Sequence, residues 1–226
     1  MQLKAFISHS TADENIAKKI KAALNDYGTS AFLAHEDIQF SQEWKDCLIH
    51  ELNEANIFIP LLSTSSKESV WVQQEIGMAF AQKDMLFLPL SVDGTAPFGF
   101  ISHIQGKRIP PDGIYRDLLV EPIIKRFPHE FIPNLINQLA SAHTFRNAEA
   151  LILPLVSHFE KFNDVEIDRF AAAAIENDQI WNANGCREQY LPVFLKLHRS
   201  RMDTEKLNAL EYQLKHRKRY DLRPNK

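Results

Sequence analysis

Short apolar runs alternate with helical patterns in the first half of the chain, and this alternation stops after about residue 111. Four runs are predicted as strands, over residues 5–7, 31–33, 57–62 and 86–90. Their uniformly apolar character is typical of parallel strands that are covered on both faces. With right-handed crossovers through the intervening helices, the pattern predicts a doubly wound parallel sheet of the α/β class, in a flavodoxin-like strand order.

The second half of the chain lacks strand patterns. Apolar residues recur there at helical spacing in six segments. These segments are 114–126, 130–142, 147–161, 165–177, 187–199 and 204–218. We therefore predict an α/β domain over residues 1–128, followed by an all-α helical bundle or short helical stack over residues 129–226.

Composition and charge limit the classes of partner that the chain can bind and the cellular compartment in which we expect it. The net charge of −3 among 226 residues excludes a chain that binds nucleic acid over its whole surface. The longest apolar run, residues 57–62, is too short to span a bilayer, and residues 1–4 show no signal-peptide pattern. With only two cysteines and no disulfide framework, we expect a cytoplasmic protein without nucleic-acid or membrane partners.

Several common catalytic motifs are absent from the sequence. It contains no G-x-G-x-x-G turn, no phosphate-binding P-loop, no G-x-S-x-G elbow and no H-E-x-x-H pair. These absences argue against Rossmann-type dinucleotide binding, phosphoryl transfer, serine hydrolysis and zinc hydrolysis. We predict no metal site and no bound cofactor.

Polar residues follow the first and third predicted strands. Ser8, His9 and Ser10 end the first strand, and a Ser/Thr-rich loop over residues 63–66 ends the third. In a flavodoxin-like order the ligand crevice opens at these carboxyl ends, so the three residues are candidates for substrate binding. Simple turn and cap chemistry is the alternative, and residues 11–14 read as a capping box.

Trp71 and Glu75 form the most informative pair in the sequence. They lie four residues apart on a predicted helix and are therefore neighbours on one face. Glu75 falls about a quarter turn from the middle of the apolar stripe, which predicts a position at the rim of a crevice. The alternative is a surface glutamate beside a half-buried tryptophan.

Three segments in order resemble the Toll/interleukin-1 receptor (TIR) domain, over about residues 3–110. Residues 4–10 resemble the first TIR box, and residues 32–38 resemble the second strand with the loop that mediates TIR–TIR contacts. The pattern Ser69-x-Trp71-x-x-x-Glu75 resembles the helix motif of NAD-cleaving members. The whole is similar to stand-alone bacterial TIR proteins of antiphage defence.

The resemblance implies roles for individual residues. Glu75 would be the catalytic carboxylate, and NAD⁺ would be a substrate rather than a cofactor. Trp71 would cover a base of the substrate, and Trp44 would line the site, although the first apolar residue of a helix more often lies in the core. A self-association loop would mediate homo-oligomer formation through TIR–TIR contacts, unless it is simply a solvated loop. The loop residues are His35, Glu36 and Asp37.

The chemistry of NAD⁺ agrees with a single carboxylate. Ordinary glycosidases need two carboxyl groups, one of which protonates the leaving oxygen. Nicotinamide leaves a cationic pyridinium and needs no proton, so one carboxylate can stabilise the oxocarbenium-like ribose. The TIR resemblance, with which this chemistry agrees, therefore implies an NAD⁺ glycohydrolase or cyclase that gives nicotinamide plus ADP-ribose or a cyclic ADP-ribose-type signal, in bacterial immune or stress signalling. The alternatives are a non-catalytic TIR adaptor that oligomerises and a nucleoside-processing enzyme of similar topology.

The helical half gives the least functional information. Its size and direct attachment suggest that it holds the first domain in an inactive or dimeric state, or binds a trigger or downstream effector. We expect a fragment of residues 1–128 to differ from the full chain in catalytic activity or in oligomeric mass by light scattering. Identical behaviour of the two proteins would contradict this role.

Overall fold

A computed structural model gives the structure of the protein and describes residues 2–34, 44–110 and 116–216. The chain divides into two compact units, Met1–Phe131 and Ile132–Lys226. The domain boundary that we predicted after residue 128 stays a prediction.

The first unit is an α/β fold built on a parallel sheet. Its strands are β1 (Lys4–Ser8), β2 (Ser30–Leu33), β3 (Ile57–Leu62), β4 (Leu86–Phe87), β5 (Leu90–Ser91) and β6 (Lys107–Arg108). Its helices are α1 (Glu14–Asp26), α2 (Trp44–Glu54), α3 (Thr64–Glu68), α4 (Val70–Phe80) and α5 (Arg116–Arg126), with short 3₁₀ turns at Thr11–Asp13 and Gly99–Ile101.

The order of the strands confirms the predicted flavodoxin-like topology. Hydrogen-bonded neighbours run β2-β1-β3-β5-β6, with β4 also paired to β3, and every pairing is parallel. The chain therefore winds outward from β1 in both directions. This arrangement brings the carboxyl ends of β1 and β3 side by side at the switch point of the sheet.

Two prolines split the predicted fourth strand into β4 and β5. Residue 57 pairs with 86 and residue 61 with 90, so both ladders keep one register and Pro60 lies opposite Pro89. Neither proline has an N–H to donate, and the ladder is broken at that point. The last strand, β6, was not predicted, because it consists of two exposed charged residues and has no apolar run.

Both faces of the sheet are covered. The rings of Phe6, Phe32 and Phe58 lie on one face, where the Phe6 and Phe58 centroids are 5.8 Å apart, and they share a buried cluster with apolar residues of α2 and α4. Because strand side chains alternate, Ile7 and Ile59 point to the opposite face, and they are also fully buried. Burial on both faces explains the uniformly apolar strands.

A buried carboxylate joins the ends of β1 and β3. The Asp13 Oδ2 atom accepts hydrogen bonds from the hydroxyls of Ser10 and Ser63, each at 2.6 Å. The capping box expected at residues 11–14 is therefore wrong, because the chain forms a 3₁₀ turn there and Asp13 turns inward. A reciprocal capping box occurs instead between Ser63 and Ser66 at the start of α3.

The second unit is entirely helical in its described residues, which confirms the predicted all-α class. The unit contains most of α6 (Pro128–Ala140), followed by α7 (Phe145–Val156), α8 (Asp164–Glu176), α9 (Asp178–Trp181), α10 (Leu191–His198) and α11 (Thr204–Lys215), with a 3₁₀ turn at Phe159–Lys161 and a π-helical turn at Cys186–Tyr190. Four phenylalanine rings, Phe159, Phe162, Phe170 and Phe194, cluster in its core. No helix in the described parts of the chain is long and apolar enough to span a membrane.

We expect Asp13→Ala to lower the free energy of unfolding by about 2–4 kcal/mol, because two buried hydroxyls lose a charged acceptor. Urea denaturation of the full chain measures this loss. Asp26→Ala is the matched control, since Asp26 is exposed at the end of α1 and its removal should change stability by less than about 0.5 kcal/mol. Equal effects of the two substitutions would show that the hydrogen bonds of Asp13 contribute nothing to the free energy of unfolding.

Candidate active site

Glu75 lies in the middle of α4, and its side chain is only 1% exposed. The helix begins after Ser69, whose hydroxyl accepts from the Val72 N–H at 3.4 Å. The predicted position at the rim of a crevice is therefore wrong in depth: Glu75 is buried, whereas Trp71 on the same face remains 46% exposed. The apolar pattern of a helix predicts burial from that helix alone, whereas other elements of the fold cover the face of α4 that carries Glu75.

Ser8 is the residue that meets the buried Glu75 carboxyl. It is the last residue of β1 and is fully buried, and its hydroxyl donates a short hydrogen bond to Glu75 Oε2 across 67 residues of sequence. The other carboxyl oxygen, Oε1, has no hydrogen-bond partner among the described residues. The two oxygens of Glu75 are thus inequivalent.

Burial controls the acidity of Glu75. Loss of solvent raises the pKa of its carboxyl from 4.5 to about 7, and the hydrogen bond from Ser8 opposes this rise. A carboxyl group with this pKa changes its charge near neutral pH. Perturbed acidity of this kind is common at functional sites, where a group must be both buried and reactive.

A small cavity borders Glu75 between α2 and α4. Lys45, Leu48 and Ile49 line it from α2, and Trp71, Gln74, Glu75 and Met78 line it from α4. Its volume is about 50 Å³, whereas pockets that hold drug-sized ligands measure roughly 300–1,000 Å³. The cavity is therefore several times smaller than a pocket that holds a ligand of that size.

The other two residues of the β1 end make contacts within the protein. Ser10 donates to Asp13, and His9 is buried with its Nδ1 atom 3.4 Å from the Ile7 carbonyl oxygen. The structure therefore brings Ser8 to Glu75 and directs Ser10 into the bridge between β1 and β3. Roles of Ser8, His9 and Ser10 in substrate binding stay predictions.

The remaining candidates lie at the edge of the described chain. Trp44 is the first residue of α2, but its side chain is outside the described residues. The whole proposed self-association loop, His35, Glu36 and Asp37, also lies outside them. Their predicted roles stay predictions.

Sequence reasoning missed several polar residues that shape this edge of the sheet. Lys45 and Gln74 line the cavity, and Asp93 accepts from the backbone N–H and hydroxyl of Thr64 at the start of α3. The pKa of Asp93 lies well below its ordinary value. The largest cause is the hydrogen bond from the Thr95 hydroxyl, and the backbone N–H groups of Thr64 and Thr95 come next. The sequence held one indication of such a role, which is that Lys45 follows Trp44 in a predicted helix.

We expect Glu75→Gln to stabilise the protein, by an amount that depends on pH. The folded-state pKa of Glu75 exceeds the unfolded value, so the folded state binds more protons between pH 4.5 and about 7. Stability therefore falls as pH rises through this window, by about 3 kcal/mol in full. Urea unfolding should show the variant more stable than the parent at pH 8, with the difference shrinking towards pH 5. A difference independent of pH would contradict the raised pKa.

Comparison with known proteins identifies the first unit more closely than its topology does. Residues 5–113 match the family profile of the TIR domain. Comparison with curated proteins gives no match. The match begins in β1, includes β6 and contains Ser8, Trp71 and Glu75, in agreement with the parallel sheet and its strand order. Residues 5–113 of this chain are therefore a TIR domain.

Proposed function

We propose that the TIR domain of this protein cleaves the bond between nicotinamide and ribose in NAD⁺, with Glu75 as the catalytic carboxylate. One observation supports this function above all: a fully buried carboxyl group beside a cavity, with Oε2 held by Ser8 and Oε1 without a partner among the described residues. Burial of a carboxyl group costs stability, and a catalytic role explains why the protein retains it.

The reaction uses the charge that NAD⁺ brings with it. The pyridinium is cationic, so its approach favours the ionised form of Glu75 and lowers the pKa of that carboxyl. As the bond between the ribose carbon and the pyridinium nitrogen breaks, its electron pair leaves with nicotinamide, and positive charge develops on the ribose. The Glu75 carboxylate stabilises this charge in a site shielded from water.

The nucleophile that captures the ribose determines the product. Water gives ADP-ribose and releases one proton, whereas a nitrogen of the adenine base gives a cyclic product. Trp71 lines the same cavity as Glu75, and its indole can stack on a base of the substrate. Either product can serve as a signal in a bacterial immune or stress response.

The small cavity requires a movement before catalysis. With about 50 Å³ beside Glu75, NAD⁺ binding needs α2 to separate from α4, or their side chains to rearrange. Contact between TIR domains in a homo-oligomer is a source of the free energy for such a movement. Lys45, on the α2 wall of the cavity, then offers a positive charge to the substrate pyrophosphate.

A non-catalytic adaptor is the second candidate, and an exposed aromatic surface favours it. Phe80 and Phe100 are 41% and 64% exposed, and their rings stack with centroids 5.5 Å apart. Exposed aromatic residues are enriched in protein–protein contacts. An adaptor self-associates and releases no nicotinamide under any condition.

We expect purified protein to release nicotinamide from NAD⁺, and Glu75→Ala to lower kcat by at least about 10²–10³-fold, because the developing positive charge loses its counter-charge. Chromatography of the reaction products measures both and separates linear from cyclic ADP-ribose. Free nucleosides and other nucleotides, assayed in parallel, test the nucleoside-processing alternative.

Glu68→Ala is the matched control, since Glu68 is exposed at the end of the neighbouring α3 and the variant should retain parental turnover. The assay is run over a range of protein concentrations that includes the oligomeric form. Turnover by Glu75→Ala equal to that of the parent would overturn the mechanism. Self-association without any nicotinamide release would favour the adaptor.

A further inference from the structure

The end of β1 places one hydroxyl against the Glu75 carboxyl. Ser8 pairs in register with Pro60 of β3, and its side chain reaches α4 on the neighbouring layer to contact Glu75 Oε2. Both side chains are at most 1% exposed. The contact is therefore shielded from bulk solvent, and the hydrogen bond from Ser8 holds one oxygen of the carboxyl group.

Three serine hydroxyls at this edge of the sheet divide between two carboxyl groups. Ser10 and Ser63 both donate to Asp13, whereas Ser8 donates to Glu75. The Asp13 bridge joins the ends of β1 and β3 and so fixes the backbone from which Ser8 projects. Ser8 thus has a rigid base and a defined acceptor.

We propose that Ser8 is a positioning residue for Glu75: its hydroxyl holds Oε2 and thereby leaves Oε1 as the oxygen that faces the substrate ribose. This assignment rests on the proposed function and replaces the direct substrate contact predicted for Ser8. A glutamate side chain has several rotatable bonds, and an anchored oxygen lowers the entropy lost when the carboxylate meets the transition state.

The same hydrogen bond also favours the charged form of Glu75. Burial raises the pKa of the carboxyl and donation from Ser8 lowers it, so Ser8 keeps part of the carboxyl population ionised near neutral pH. Of the described residues that line the cavity, Lys45 on α2 is the charged group besides Glu75. The other α4 residues on the cavity wall, Trp71, Gln74 and Met78, are uncharged.

Threonine and valine at position 8 provide a matched test. The two side chains have the same shape and both suit a strand, but only threonine keeps the hydroxyl. The experiment measures kcat and KM for nicotinamide release from NAD⁺ between pH 5 and 9, for the parent protein, Ser8→Thr and Ser8→Val. Ser8→Ala is added because the branched side chains can disturb packing at a fully buried position.

We expect Ser8→Val and Ser8→Ala to move the midpoint of the pH–rate profile upward by about one pH unit and to lower kcat at least about tenfold at pH 7, with little change in KM. Ser8→Thr should keep its midpoint near that of the parent. The same midpoint and kcat in Ser8→Val and Ser8→Thr would overturn the positioning role. A parent protein that releases no nicotinamide would instead overturn the proposed function, so the two failures are distinguishable.

Discussion

The burial of one carboxyl group is the constraint on which the site depends. Glu75 projects from α4 towards α2 and the end of β1, where its ionised form loses the solvation that water gives to an exposed glutamate. One hydrogen bond from Ser8 offsets part of this loss. The protein therefore maintains a carboxyl group whose pKa of about 7 lets it respond to the charge of whatever enters the cavity. A cationic ligand relieves the cost of ionisation, whereas a neutral or anionic ligand does not.

The sheet supplies the rigidity that such a group requires. Parallel order brings the ends of β1 and β3 together, and Asp13 links them through Ser10 and Ser63. The position of Ser8 is thus fixed by contacts that do not involve Glu75. On the opposite wall, α2 contributes Lys45, Leu48 and Ile49. The cavity beside Glu75 therefore lies between α2 and α4.

The main strands and the position of α4 could be predicted, because apolar periodicity depends on residues close together in the chain, and the strand order followed from right-handed crossovers between parallel strands. The depth of Glu75 could not be predicted in this way, since its burial depends on Ser8, 67 residues away, and on the side chains of α2. The inward turn of Asp13 could not be predicted for the same reason, since its second partner, Ser63, is 50 residues distant. The break between β4 and β5 was foreseeable from Pro60 and Pro89, whereas β6, two charged residues, carries no strand pattern.

The most direct measurement is a ¹³C-NMR titration of the Glu75 carboxyl group, with and without a non-cleavable NAD⁺ analogue that retains the pyridinium charge. The resonance is assigned by its loss in Glu75→Gln. Without ligand, we expect a midpoint near the pKa of about 7 that burial produces. With the analogue bound, we expect the midpoint to fall, because the cationic ring favours the carboxylate. An unchanged midpoint with the analogue bound would contradict contact between Glu75 and the scissile end of NAD⁺.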